Sequence, residues 1–158
     1  MTDSTESGTS GPSPEPRKLI LLLVDDVPES LELLEDVLQE NGFGTMTASS
    51  GEEALEQLRQ NEIHLIVSDA MMPKMDGLEL CTLVKKDQRT ASIPFIIYTG
   101  DYLDKEDEEL AQGIGVDRYV EKMSGIETLV GAVKEVVHER YGYELHGNTL
   151  ESHRLDDH

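Results

Sequence analysis

The sequence predicts a doubly wound α/β domain, with five helices around a five-stranded parallel sheet in the order 2-1-3-4-5. Three observations support this prediction. Apolar runs of strand length alternate with helical patterns from Leu19 to about Arg140. The first, third and fourth runs are almost continuously apolar, as strands are when helices cover both of their faces. The second and fifth runs contain interspersed polar residues, which is typical of edge strands, so we place them outside.

Each predicted strand is a short apolar run. The strands are predicted at residues 19–24, 43–48, 63–67, 93–97 and 116–120. The fourth is apolar apart from Pro94 near its start. In the predicted order the chain reverses between strands one and three, and open α/β sheets place their functional crevice at the carboxyl ends of the strands there.

Amphipathic patterns between the strands predict the helices. Pro28 can open the first helix, because a proline in the first turn loses no hydrogen bond. Ser50 followed by Glu53 predicts a capping box for the second. The predicted inward faces are Leu31, Leu34 and Leu38 in the first helix, Leu55 and Leu58 in the second, Leu80, Cys81 and Val84 in the third, and Ile126, Leu129, Val130, Val133 and Val137 in the fifth.

The fourth helix is strongly acidic. Residues 101–109 contain six acidic side chains, and the apolar residues able to pack there are Leu103, Leu110, Ala111 and Ile114. This composition predicts a basic or cation-bridged partner, or weak self-association at low salt.

The composition excludes several classes of function. The chain has 33 acidic and 13 basic residues and a formal charge of −20, which argues against direct binding to nucleic acid or to anionic membrane surfaces. Its single cysteine, Cys81, cannot form an intramolecular disulfide and is expected to pack in the core. The sequence has neither a membrane-spanning apolar segment nor a signal-peptide pattern, so we expect a cytoplasmic protein.

The chain divides into three parts. Residues 1–17 are rich in Ser, Thr, Gly, Pro and acids and predict a disordered N-terminal tail. Residues 18–140 form the predicted domain, and 141–158 are a polar C-terminal tail or linker. The tail holds His146, His153 and His158, whose spacing is too scattered to favour a zinc site.

Three acids follow two neighbouring central strands. Asp25 and Asp26 come directly after the first strand, and Asp69 comes just after the third. Because parallel strands direct their carboxyl ends to one edge, we expect these carboxylates to meet, and they repel one another unless a cation lies between them. The carboxylates, together with a backbone carbonyl just after Asp69, suit Mg²⁺.

Two further polar residues end the later strands. Thr99 follows the fourth strand and Lys122 follows the fifth. A hydroxyl and an ammonium beside three carboxylates and a metal make a site for a phosphoryl group, which a carboxylate can accept as an aspartyl phosphate. Each residue alone has an ordinary explanation: a helix cap for Asp69, a solvated loop acid for Asp25 or Asp26, a turn for Thr99 and a surface position for Lys122. Five such residues at one edge favour a shared site.

The site residues lie in three recognisable stretches and at one further position: Leu-Val-Asp-Asp at 23–26, Val-Ser-Asp-Ala-Met-Met-Pro-Lys-Met-Asp-Gly at 67–77, Tyr-Thr-Gly at 98–100, and Lys122. Together they resemble the receiver domains of the two-component response-regulator family. The second stretch is the most specific, because Pro73 and Gly77 shape the loop beside the acid. The resemblance covers residues 18–140 and implies a flavodoxin-like receiver fold.

The resemblance also implies a role for each site residue. Asp69 matches the phosphoacceptor, and Asp25 and Asp26 match the acid pair that holds Mg²⁺. The backbone carbonyl of Met71 matches the remaining protein ligand of the metal. The implied phosphoryl donor is a histidine kinase or a phosphotransfer protein. The protein would be a signalling receiver rather than an enzyme, with self-phosphorylation and autodephosphorylation as its own chemistry.

The family's switch residues are present too. Thr99 matches the hydroxyl that moves toward the phosphoryl group, and Lys122 matches the lysine that pairs with it. Tyr119 matches the aromatic whose rotation reports activation on the face of helix four, strand five and helix five. That face implies a downstream effector or fused output domain as partner, or a weak homodimer. One residue departs from the pattern, because Met123 follows Lys122 where the family usually has proline, often in a cis peptide.

Two other functions remain open from the sequence. A binding module of the same fold that no longer takes up phosphate would fit the Met123 departure and the acidic fourth helix. A true phosphatase of the dehalogenase type fits less well, because its acids are spaced Asp-x-Asp whereas Asp25 and Asp26 are adjacent. Neither a dinucleotide-binding nor a Walker motif is present.

Overall fold

A parallel sheet forms the centre of the computed structural model, which describes residues 18–101, 104–146 and 149–152. Its strands are β1 (Ile20–Val24), β2 (Gly44–Ala48), β3 (Leu65–Ser68), β4 (Phe95–Thr99) and β5 (Arg118–Glu121). They are ordered β2-β1-β3-β4-β5, and each pairs in parallel with its neighbours. The predicted order 2-1-3-4-5 is confirmed.

Helices cover both faces of this sheet. They are α1 (Pro28–Glu40), α2 (Gly51–Gln60), α3 (Gly77–Lys86), α4 (Lys105–Ile114) and α5 (Ile126–Tyr141), with a 3₁₀ turn at Lys122–Ser124. Side chains of α1 and α5 share one apolar core with the sheet, and side chains of α2, α3 and α4 share the other. The predicted doubly wound architecture is confirmed.

The burial of these strands agrees with their places in the sheet. Every residue of β3 and β4 is buried, whereas β2 and β5 each bury one residue. The last three strands begin two residues later than predicted. Before β4, the N–H of Ile93 donates to the carbonyl of Thr90, and Pro94 has no N–H to donate, so apolar residues there belong to a turn.

Most predicted inward-facing residues are buried in the two cores. Cys81 is one of them, and burial raises the pKa of its thiol to about 11, so it remains a neutral packing group at neutral pH. The prediction for Leu110 was wrong, because its side chain is 57% exposed on α4. Its neighbour Ala111 is buried as predicted, whereas Ile114 is only partly buried. The predicted packing residue Leu103 lies outside the described residues.

The helix starts follow the expected chemistry with one correction. Pro28 opens α1, as predicted. At α2 the hydroxyl of Ser50 accepts the N–H of Glu53, but the Glu53 carboxylate accepts the N–H of Ser49 rather than that of Ser50. The predicted capping box is therefore only half formed. Complete boxes occur at α3 and α4, where Asp76 and Asp104 are the capping residues.

The chain after α5 contains structure that the sequence analysis did not predict. An antiparallel hairpin joins β6 (Tyr143–His146) and β7 (Thr149–Ser152), within the stretch we assigned to a polar tail. The predicted N-terminal tail, 1–17, and the histidines His153 and His158 lie outside the described residues. Among the helices that the structure describes, none combines the length and apolarity needed to cross a bilayer.

Candidate functional site

The three predicted acids meet at the carboxyl edge of the sheet. Val24 at the end of β1 pairs with Ser68 at the end of β3, so the residues that follow them are neighbours. One carboxylate oxygen from each of Asp25, Asp26 and Asp69 lies within 4.8 Å of the others. Carboxylate oxygens at this spacing are the donors that a hard divalent cation such as Mg²⁺ prefers, so the residues fit the predicted ion.

Lys122 lies against two of these acids. Its Nζ is 3.1 Å from Oδ2 of Asp25 and 3.6 Å from Oδ2 of Asp69. Burial alone would lower the pKa of Lys122, but the hydrogen bond and charge of Asp25, followed by the charge of Asp69, outweigh it and the pKa is raised. The ammonium is therefore a permanent positive charge at the site at neutral pH.

Asp69 accepts hydrogen bonds from two further groups. The hydroxyl of Thr99, which is fully buried at the end of β4, donates to Oδ1 over 2.8 Å. The N–H of Met71 donates to the same oxygen over 3.2 Å. The role of the Met71 carbonyl as a metal ligand remains a prediction, because this contact involves its N–H.

Thr99 also contacts the loop that follows β4. Its Oγ1 lies 3.3 Å from Oδ2 of Asp101 and accepts the N–H of Asp101 over 3.2 Å. The Thr99 hydroxyl has one proton, and the shorter distance to Asp69 identifies its acceptor.

The loop between β3 and α3 brings backbone close to Asp69, and this explains the glycine at its end. The N–H of Gly77 donates to the carbonyl of Ala70 over 2.8 Å. A Cβ added at Gly77 would lie 2.3 Å from the backbone oxygen of Asp69 and 3.0 Å from the Cα of Ala70. Both are backbone atoms with little freedom to move, so the fold requires glycine here.

In the loop after β5, Met123 rather than proline follows Lys122. The Lys122–Met123 peptide is trans, as are all peptide bonds in the described part of the chain, and Met123 is 91% exposed. Hydrogen bonds close the turn instead: the hydroxyl of Ser124 donates to the carbonyl of Glu121, and the N–H of Gly125 donates to that of Lys122. The departure at Met123 therefore leaves Lys122 in contact with the acids.

Two tyrosines flank the site. Tyr119 is partly buried against the core of α2, α3 and α4, and its hydroxyl donates to the carbonyl of Asp101 over 3.5 Å. Burial, and then the negative charges of Glu121 and Asp101, raise the pKa of Tyr119 above its ordinary value. Tyr98 lies on the other side of the sheet with its ring centroid 5.6 Å from Nζ of Lys122. This contact was not predicted from the sequence, where its only signal is an aromatic residue directly before Thr99.

The comparison with known families agrees with this geometry. Residues 21–134 match the family model for the response regulator receiver domain. The chain therefore belongs to the response regulator receiver domain family, whose members are signalling proteins of two-component systems.

Individual relatives show the same similarity. The heme response regulator HssR of Staphylococcus saprophyticus is 36% identical over 78% of this chain and 53% of its own length. The chain thus spans about half the length of this curated relative. Among the similar solved structures, two that are each 31% identical illustrate the match. A receiver domain of a histidine kinase from Syntrophus aciditrophicus covers 77% of this chain and 92% of its own, with a TM-score of 0.71. The response regulator TrrA of Thermotoga maritima, solved in complex with Mg²⁺–BeF, matches over 75% of this chain and 98% of its own length, with a TM-score of 0.66.

Proposed function

We propose that this chain accepts a phosphoryl group on Asp69, in the presence of Mg²⁺, from a histidine kinase or phosphotransfer protein. One observation carries the proposal. The Asp69 carboxylate has the Thr99 hydroxyl 2.8 Å from one oxygen and the Lys122 ammonium 3.6 Å from the other, beside two further acids. A phosphoryl group bound to Asp69 would find a hydroxyl donor and a positive charge already in place.

The chemistry follows from these positions. An oxygen of Asp69 attacks the phosphorus of the donor, the bond from phosphorus to the donor's histidine nitrogen breaks, and an acyl phosphate forms on Asp69. Lys122 and Thr99 then pair with the phosphoryl oxygens. The proposed protein ligands of Mg²⁺ are Asp25, Asp26, Asp69 and the Met71 carbonyl, and the ion when bound would neutralise negative charge at the site. TrrA, a relative of this chain, was solved in complex with Mg²⁺–BeF, and this supports Mg²⁺ as the ion at the site.

The signal would leave the site through Thr99 and Tyr119. Phosphorylation adds strong acceptors at Asp69 and strengthens the pull on the Thr99 hydroxyl. Asp101 links the two residues, because its N–H donates a hydrogen bond to the Thr99 hydroxyl oxygen and its carbonyl accepts one from the Tyr119 hydroxyl. We propose that this changes the face of α4, β5 and α5, whose partner is an effector, a fused output domain or, weakly, a second copy. The acidic surface of α4 favours a basic partner over nucleic acid.

Beryllofluoride, which has the shape of a phosphoryl group, tests the proposal without a kinase. We expect ¹⁹F NMR to detect one bound beryllofluoride in the presence of Mg²⁺ and none after EDTA. Asp25→Asn should weaken Mg²⁺ binding at least about tenfold, because one charged ligand is lost. Asp36→Asn makes the same change on the exposed surface of α1 and should bind as the native chain does. Beryllofluoride binding that is unchanged both by removal of Mg²⁺ and by Asp25→Asn would contradict the proposal.

The alternative is a receiver-like interaction module that takes up no phosphate. The observation that favours it is Met123, which leaves the loop without its usual proline. The contacts of Lys122 with Asp25 and Asp69 favour phosphorylation instead. If the chain binds neither Mg²⁺ nor beryllofluoride, and Asp69→Asn leaves partner binding unchanged, the module is the better description.

A further inference from the structure

We propose that Tyr98 is a positioning residue that holds the Lys122 ammonium over its ring, at the place where a phosphoryl group on Asp69 requires it. This inference rests on the proposed function, because Lys122 is taken as the cation that pairs with the phosphoryl group. It assigns a role to a residue that is neither one of the three acids nor Thr99 or Lys122.

The ring and the ammonium are at a distance where they attract. Nζ of Lys122 lies 5.6 Å from the centroid of Tyr98. Cations within about 6 Å of an aromatic centroid are attracted to the negative face of the ring, most strongly where water is excluded. Tyr98 is only 7% exposed and Lys122 is partly buried, so this contact is largely shielded from water.

The sheet fixes the ring relative to the lysine. Tyr98 is in β4 and pairs with Val120 of β5, two residues before Lys122. Its side chain belongs to the core that includes α1 and α5, so packing holds the ring in place. Lysine, by contrast, carries its charge on a flexible four-carbon stem. A rigid ring beside that stem reduces the number of positions open to the ammonium.

The ring also differs from the other two partners of Lys122. Asp25 and Asp69 attract the ammonium through charge, and that attraction changes when a metal binds them or when Asp69 is phosphorylated. The attraction to the Tyr98 ring depends on neither event. In a loop with Met123 instead of proline, Tyr98 thus supplies a constant restraint.

Two substitutions separate the ring from its hydroxyl. Tyr98→Phe keeps the aromatic face and should bind beryllofluoride with Mg²⁺ as the native chain does. Tyr98→Leu removes it and should weaken beryllofluoride binding about threefold to thirtyfold. Mg²⁺ affinity without beryllofluoride should stay the same or rise, because a displaced ammonium competes less for the acids.

Phe95→Leu is the matched control. It removes a fully buried aromatic ring from the opposite end of the same strand, on the other face of the sheet. It should lower stability but leave beryllofluoride affinity unchanged. If Tyr98→Leu binds beryllofluoride as tightly as the native chain, or loses Mg²⁺ and beryllofluoride affinity together, Tyr98 does not position Lys122.

A measurement on the native chain decides the matter if Tyr98→Leu does not fold. The ε-methylene protons of Lys122, assigned by their loss in Lys122→Arg, should show an upfield ring-current shift. An unshifted signal would overturn the inference. This readout needs no phosphoryl analogue, so it also separates the two claims: native chain that binds no beryllofluoride refutes the proposed function, whereas a missing ring-current shift refutes only the role of Tyr98.

Discussion

Asp69→Asn is expected to abolish phosphorylation of this chain. An amide is a far weaker nucleophile than a carboxylate, and the proposed acyl phosphate cannot form on it. The native chain, incubated with Mg²⁺ and a small phosphodonor, should gain the mass of one phosphoryl group by intact-mass spectrometry. The variant should gain none.

The fold is expected to survive this change, so the loss can be assigned to chemistry. The amide oxygen can still accept the Thr99 hydroxyl and the Met71 N–H that the carboxylate accepts now. Removing one of three neighbouring negative charges also relieves repulsion. Asp36→Asn on the surface of α1 is the matched control and should be phosphorylated normally. An Asp69→Asn chain that is modified as fully as the native one would place the acceptor elsewhere.

Gly77→Ala is expected to damage both the stability of the fold and the site. The added Cβ would lie 2.3 Å from the backbone oxygen of Asp69, so the loop before α3 must move. Overpacking of this kind costs about 1–3 kcal/mol of unfolding free energy. The displaced atoms belong to Asp69, the proposed acceptor, so phosphorylation should also slow. Urea denaturation and the rate of phosphorylation measure the two effects.

Gly131→Ala makes the same chemical change with the opposite expected result. Gly131 is exposed in α5, and a Cβ there meets nothing within 4 Å. Alanine is favoured over glycine inside a helix by about 1 kcal/mol, so the variant should be more stable and be phosphorylated normally. Equal effects of the two substitutions on stability would show that the close contact at Gly77 is not what the fold depends on.

The strand order was predictable because strands buried on both faces contain few polar residues, whereas edge strands contain more. Residues of β3 and β4 are buried throughout and come from nearly continuous apolar runs, whereas β2 and β5 keep polar residues at partly buried positions. The site was predictable for a related reason. Parallel strands bring their carboxyl ends to one edge, so Asp25, Asp69, Thr99 and Lys122 converge whatever the details of packing.

The features that escaped prediction depend on contacts between distant parts of the chain. The ring of Tyr98 meets Lys122 only because β4 and β5 pair in one particular register. Leu110 lies in a helical pattern that suggested burial, but α4 contributes only Ala111 to the buried core. The hairpin of β6 and β7 lies within the polar stretch 141–158, whose composition gave no strand signal. Local patterns do not contain such information.

The most direct test of the account is to find which residue carries the phosphoryl group and whether magnesium is needed. Borohydride reduces an aspartyl phosphate to homoserine, and peptide mapping then locates the modified position. After incubation with a small phosphodonor, we expect homoserine at position 69 with Mg²⁺ present and unmodified Asp69 when EDTA has removed it. Modification at another residue, or equal modification of Asp69 without Mg²⁺, would contradict a site in which three acids share a cation and one of them takes the phosphate.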